Sequence, residues 1–148
     1  MTNVPDPAPT VRDLIIAAIE AALLPHAVEV EVEPAGDPIS FPALGITDGG
    51  HTVIEREAGL TRRTMTVQID GFVDGAGGKA PTRERNALVA AAVAALLTDP
   101  VIADLVELID DGDLRLFTAT LASTRRLGFA QDFEIQFCTS RADPALPA

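Results

Sequence analysis

Ala87-Leu88-Val89-Ala90-Ala91-Ala92-Val93-Ala94-Ala95-Leu96-Leu97 is the stretch that decides the fold: an unbroken apolar run between Ala80-Pro81-Thr82 and Thr98-Asp99-Pro100. Alanine and leucine are strong helix formers, so the run predicts a helix that starts near Pro81 and stops at Thr98. A helix on a protein surface keeps one polar face. This one has almost none, so it calls for cover on more than one side. It is too short for a bilayer, which takes about 20 residues. A helix pressed between its own sheet and another protein surface remains, and the first clue is to assembly, not to chemistry.

Working outward, Thr10 is a fitting N-cap for an earlier helix, with Leu14, Ile15, Ala18, Ile19, Ala22 and Leu23 at helical spacing and Pro25 at its end. Val28-Glu29-Val30-Glu31-Val32-Glu33 alternates strictly, as a half-buried strand does. Residues 39–46 read as an edge or irregular strand because of Pro42. Asp48-Gly49-Gly50 reads as a turn, residues 53–57 as a short strand, and residues 62–72 as a long one alternating Met65, Val67 and Ile69 with polar residues. A glycine-rich loop, residues 74–79, leads into the apolar helix.

Beyond it, Asp99-Pro100 opens a second helix, Asp as cap and Pro at the first helical position. The expected helix carries Val101, Ile102, Leu105, Val106, Leu108 and Ile109 and ends at Asp110-Asp111-Gly112-Asp113. Two strands follow, residues 114–124 and 130–139, joined by a hairpin at residues 125–128. With no repeated βαβ unit, the order of elements predicts an α+β domain: a mostly antiparallel sheet of about four main strands, with two to three helices on one face. One domain over residues 10–141 is expected, between a proline-rich N-terminal arm, residues 1–9, and a flexible C-terminal tail, residues 142–148.

Composition narrows the function. A chain of 148 residues, 47% hydrophobic and without Trp or Tyr, builds an aliphatic core with six Phe as its large pieces. Its formal charge of −11 disfavours tight, sequence-independent nucleic-acid binding, which needs Lys and Arg on phosphates. One cysteine, Cys138, allows no internal disulfide. The first nine residues lack the basic and apolar segments of a signal peptide, so a soluble cytoplasmic protein is expected.

Catalytic patterns are missing. His26 and His51 have no Cys or His partner at metal-ligand spacing and read as exposed loop histidines. Ser40, Ser123 and Ser140 lie in no nucleophile elbow. Gly75-Ala76-Gly77-Gly78-Lys79-Ala80 fails the phosphate-loop pattern, with Val73 where the first glycine belongs and Ala80 where Ser or Thr belongs. No cofactor and no metal is expected.

The charged groups suggest surfaces instead. Glu29, Glu31 and Glu33 share one strand face, which is plainly solvated, faces a basic neighbour or lines an acidic channel. Asp110, Asp111 and Asp113 oppose a helix dipole, a weak sign that they meet a basic partner. Arg62-Arg63 and Arg125-Arg126, each near an expected turn, read first as solvated pairs and otherwise suit the acidic patches of an identical subunit. Val93, within the apolar run, is an interface candidate.

Leu96-Leu97-Thr98-Asp99-Pro100-Val101-Ile102-Ala103-Asp104-Leu105-Val106, with the acidic turn and two closing strands after it, resembles the tail terminator (tail completion) proteins of long-tailed bacteriophages. The ending Phe137-Cys138-Thr139-Ser140-Arg141-Ala142-Asp143-Pro144 is similar too, and the likeness in element order spans residues 10–144. The segment 34–42 and the short glycine-rich loop depart from it. The resemblance implies a virion protein without enzymatic activity. It implies a homo-oligomeric ring, six-membered, that caps the tail tube protein, ends polymerisation and docks to a head–tail connector protein while DNA passes through. Two other readings stay open: another connector or neck ring subunit, and a small enzyme or ligand-binding α+β domain.

Overall fold

The computed structural model describes residues 4–148. The order is α1 (Val11–Leu23), a 3-10 turn (Leu24–His26), β1 (Glu29–Val32), β2 (Ala43–Glu57), β3 (Leu60–Phe72), α2 (Lys79–Thr98), α3 (Pro100–Leu105), β4 (Leu108–Leu121) and β5 (Thr124–Ser140). One sheet holds all five strands in the order β1-β2-β3-β5-β4. Every neighbouring pair is antiparallel except the short β1–β2 pair. The expected α+β class is what the chain adopts, with five strands and three helices.

The spine is β3 paired with β5, in register from Leu60 opposite Ser140 to Phe72 opposite Gly128. Alternation sends Met65, Val67 and Ile69 of β3, and Phe129, Phe133, Ile135 and Phe137 of β5, into one core. The helices cover that same face with Val11, Ile15, Ile19 and Leu23 of α1, Leu88, Ala92 and Leu96 of α2, and Ile102 of α3. Each such aliphatic side chain withdrawn from water contributes roughly 1.5–3 kcal/mol. The helices spend their apolar stripes here; among the described residues no helix covers the opposite face, and the segment 34–38 lies over it near Gly45 and Asp70. At the sheet's far end, Phe72 of β3 and Phe117 of β4 meet edge to face, 5.9 Å between centroids, across Gly128 of β5. A Cβ on Gly128 would stand 2.7 Å from Phe117 and 2.8 Å from Phe72, so only glycine fits between the rings.

Two of the three sequence-read helix starts carry the expected caps, and α2 begins at Lys79, two residues before Pro81, without a side-chain cap. Thr10 and Asp13 form a reciprocal capping box on α1. The Asp99 carboxylate caps α3, with Pro100 in its first turn.

Several expectations are corrected. Asp48-Gly49-Gly50 is a bulge inside β2, between the pairs Asp48–Val67 and His51–Met65, so the two short strands expected there are one. Pro42 precedes β2, whose first residues, Ala43 to Ile46, are interior to the sheet because β1 pairs them, while the rest of β2 pairs with β3 alone. α3 stops at Leu105, and Leu108 and Ile109 already pair with Gln136 and Ile135. Asp110, Asp111 and Asp113 therefore lie in an edge strand, at a bulge between Asp111 and Leu114, not at a helix end. The β4–β5 hairpin turns at Ala122-Ser123, whose φ values of 50° and 66° place both in the left-handed region. Primed two-residue turns demand that conformation, and Ala-Ser carries none of the usual Asn-Gly signal for it. Arg125 and Arg126 consequently sit in β5, opposite Thr120 and Ala119.

The C-terminal segment, expected to be a flexible tail, is tied down. Ala145 O accepts the Val11 N–H, Leu146 O accepts the Ser140 N–H, and Pro147 bridges to Thr139. At the other end, residues 4–9 of the expected arm are exposed and belong to no helix or strand, and residues 1–3 lie outside the described residues.

Candidate interaction surfaces

The apolar helix presents two stripes. Leu88, Ala92 and Leu96 are buried inward, with Val89 and Val93 half-buried beside them against the core. Ala87, Ala90, Ala94 and Leu97 face outward and are exposed, Leu97 by 39%. Their 3-4-3 spacing forms a straight seam down the helix, the geometry of helix–helix contact. Val101 of α3, 58% exposed, stands just past its end. Val93, expected at an interface, is half-buried and packs against the subunit's own core, beside the outward Ala94. Beside the seam, a cavity of about 450 Å³ opens among His26, Phe41, Val73, Ala87 and Ala91. His26 is exposed there in the 3-10 turn, as expected of it.

The open face of the sheet is acidic. Register puts Glu29 and Glu31 of β1, Asp70 of β3, Asp132 and Glu134 of β5 and Asp110 of β4 on it together. Glu29, Glu31 and Asp70 line one shallow cavity of about 150 Å³, where burial raises the Asp70 pKa above the ordinary carboxylate value. Glu33 does not join them. It lies past β1 with a φ of 48°, and its carboxylate accepts the Asp48 N–H at 2.8 Å.

β4 is an edge strand along its whole length. Leu108, Leu114, Leu116 and Phe117 are exposed on it. The Asp111–Leu114 bulge and its three carboxylates blunt the first half of this edge against strand pairing. Buried Gln131 supports the bulge, its Nε2 donating to Gly112 O at 2.9 Å and Asp113 O at 3.3 Å.

Most of the candidate arginines are occupied within the chain. Arg62 pairs with Glu55 at 2.6 Å and Glu107 at 2.8 Å, and the hydrogen bond from Arg62 holds the Glu107 pKa below its usual value. Cys138, 2.7 Å from the same Glu107 oxygen, has its thiol pushed up to about 11, by burial first and then by that carboxylate. Arg126 stacks 3.8 Å over the Phe41 ring and pairs with Asp74. Arg125 makes one long bond to Thr118 Oγ1, 3.4 Å. Arg115, not singled out in the sequence, binds Asp132 through both terminal nitrogens at 2.9 and 3.1 Å and lowers its pKa.

Arg63 belongs to a polar cluster that the sequence does not disclose, because its members come from four elements. Arg12 of α1 grips both Asp48 oxygens at 2.8 and 2.7 Å and touches His51 Nδ1. Arg63 of β3 faces His51 Nε2 at 2.8 Å and donates to Thr139 Oγ1 of β5 at 3.1 Å. The His51 ring stands edge-on to Phe137, 6.4 Å between centroids. His51, expected in an exposed loop, is exposed as expected but belongs to β2, held by Arg12 and Arg63. Partial burial, then the charges of Arg12 and Arg63, hold its pKa below the ordinary value, against a smaller upward pull from Asp48.

Among the described residues no group of three or more His, Cys, Asp or Glu side chains is placed to hold a metal ion, and no helix is long and apolar enough to cross a membrane. Comparison of the chain with protein-family models and with curated proteins finds no match.

Proposed function

We propose that this chain is a structural ring subunit, a tail terminator of a long-tailed bacteriophage or phage-like particle, without enzymatic activity. The observation that carries the reading is the outward seam of Ala87, Ala90, Ala94 and Leu97 on α2. A neighbouring copy covers that seam in the ring, six copies closing it by the family resemblance. The small alanines let a neighbouring surface approach closely, and Leu97 supplies the largest apolar contact. The acidic open face also supports the reading. Turned toward the lumen, its carboxylates repel the duplex and let DNA pass without sticking. The finished ring caps the tail tube protein, ends polymerisation and offers its far side to the head–tail connector. Its place is the head-proximal end of the tail in the virion, after assembly in the host cytoplasm.

Removing the gene from a phage that carries it tests the reading. Overlong or headless tails are the expected phenotype, and normal particles would contradict it. A ring that binds portal or adaptor protein but ignores tail tubes would reassign the chain to the neck.

A further inference from the structure

The geometry points to a binding site for one compact oxoanion, a carboxylate or phosphate group, in the cavity between Arg63 and Arg12. This cavity, about 400 Å³, is walled by Thr10, Arg12, His51, Arg63, Thr139 and the C-terminal segment. Its charges are unevenly matched. Arg12 is answered by Asp48. Arg63 has no carboxylate within 4.0 Å among the described residues, although the chain carries a formal charge of −11. Asp143 also lies on the cavity wall; its Oδ1 accepts the Ala145 N–H at 3.0 Å, and it forms no ion pair with Arg63 or Arg12.

The hydrogen-bond inventory is unbalanced in the same place. A neutral imidazole has one lone pair to offer and one N–H. Two guanidinium groups address the His51 ring, one at each nitrogen. The neutral ring accepts from only one of them. Arg63 also has a terminal nitrogen, Nη2, that donates to no protein atom among the described residues, while its Nε and Nη1 are engaged. An oxoanion seated beside Arg63 accepts from that nitrogen. The parallel donors of a guanidinium fork fit two oxygens of a carboxylate or phosphate. Thr10 and Thr139 add hydroxyls to the same wall.

The test follows the imidazole nitrogens by long-range proton–nitrogen NMR on the full chain at constant ionic strength. Inorganic phosphate and, separately, acetate are titrated in against chloride. Saturable movement of the His51 ring is expected, with a midpoint on the order of 1 mM, while the His26 ring stays put. Movement on simple dilution, without added anion, assigns the carboxylate to a second copy; movement only on addition assigns it to a small molecule. Arg63→Gln should abolish the response. Where that variant is poorly folded by circular dichroism, Arg63→Lys, which keeps the charge but not the fork, should weaken it several-fold. A His51 ring that responds to neither anion nor dilution, or an Arg63 variant that titrates like the parent, overturns the site.

Discussion

The Asp99 carboxylate accepts the backbone N–H of Ile102 at 2.9 Å, and Ile102 itself is fully buried. One acid thus stops the long helix, starts the short one and aims an aliphatic anchor into the core. Asp99→Ala removes an N-cap and should destabilise the fold by about 1 kcal/mol. For a chain of this size that is a fall of about 2–4 °C in the thermal midpoint, read by calorimetry. An unchanged midpoint would mean that Pro100 and packing alone set the corner.

The β4–β5 turn offers the opposite kind of change. Ala122 and Ser123 both hold positive φ, which costs an L-residue with a Cβ on the order of 1 kcal/mol each. Replacing them with Asn-Gly should stabilise the protein by roughly 1–2 kcal/mol in urea unfolding, since that pair suits a primed turn. A neutral or destabilising result would show that the turn relaxes with other residues around it.

His51 gives the fold a pH dependence of definite sign. Its pKa is lowered in the folded chain, so the fold prefers the neutral ring. The stabilising contribution is complete above the unfolded value, about 6.5, and is lost as pH falls from there through the folded value. Unfolding free energies measured across that window should decline with acidification, and His51→Gln should flatten the decline. A slope equal in parent and variant would place the titration elsewhere.

What the sequence discloses and what it hides follow from locality. The capping residues Thr10 and Asp99, the alternation of β3 and β5 and the apolar run are local patterns, and each appears in the structure. The split of that run into an inner stripe through Leu96 and an outer one through Leu97 was beyond the pattern, because alanines and leucines fill both. Asp110-Asp111-Gly112-Asp113 looked like a helix end because its composition is that of a stop signal. Pairing with β5 overrides it. The Ala122-Ser123 turn had no signal at all. Arg62, Arg63 and Arg126 looked alike in sequence, yet only three-dimensional neighbours show that Glu107, His51 and Asp74 claim them.

Native mass spectrometry of the parent chain and of Leu97→Glu, alone and with tail tube protein, tests the central claim most directly. Leu97 lies outside the buried core, so the variant should keep its circular dichroism and thermal midpoint. The account predicts that the parent forms a closed ring, by itself or on the tube, and that Leu97→Glu stays monomeric under both conditions. A parent that remains a monomer with and without tubes, or a variant that assembles like the parent, would contradict it.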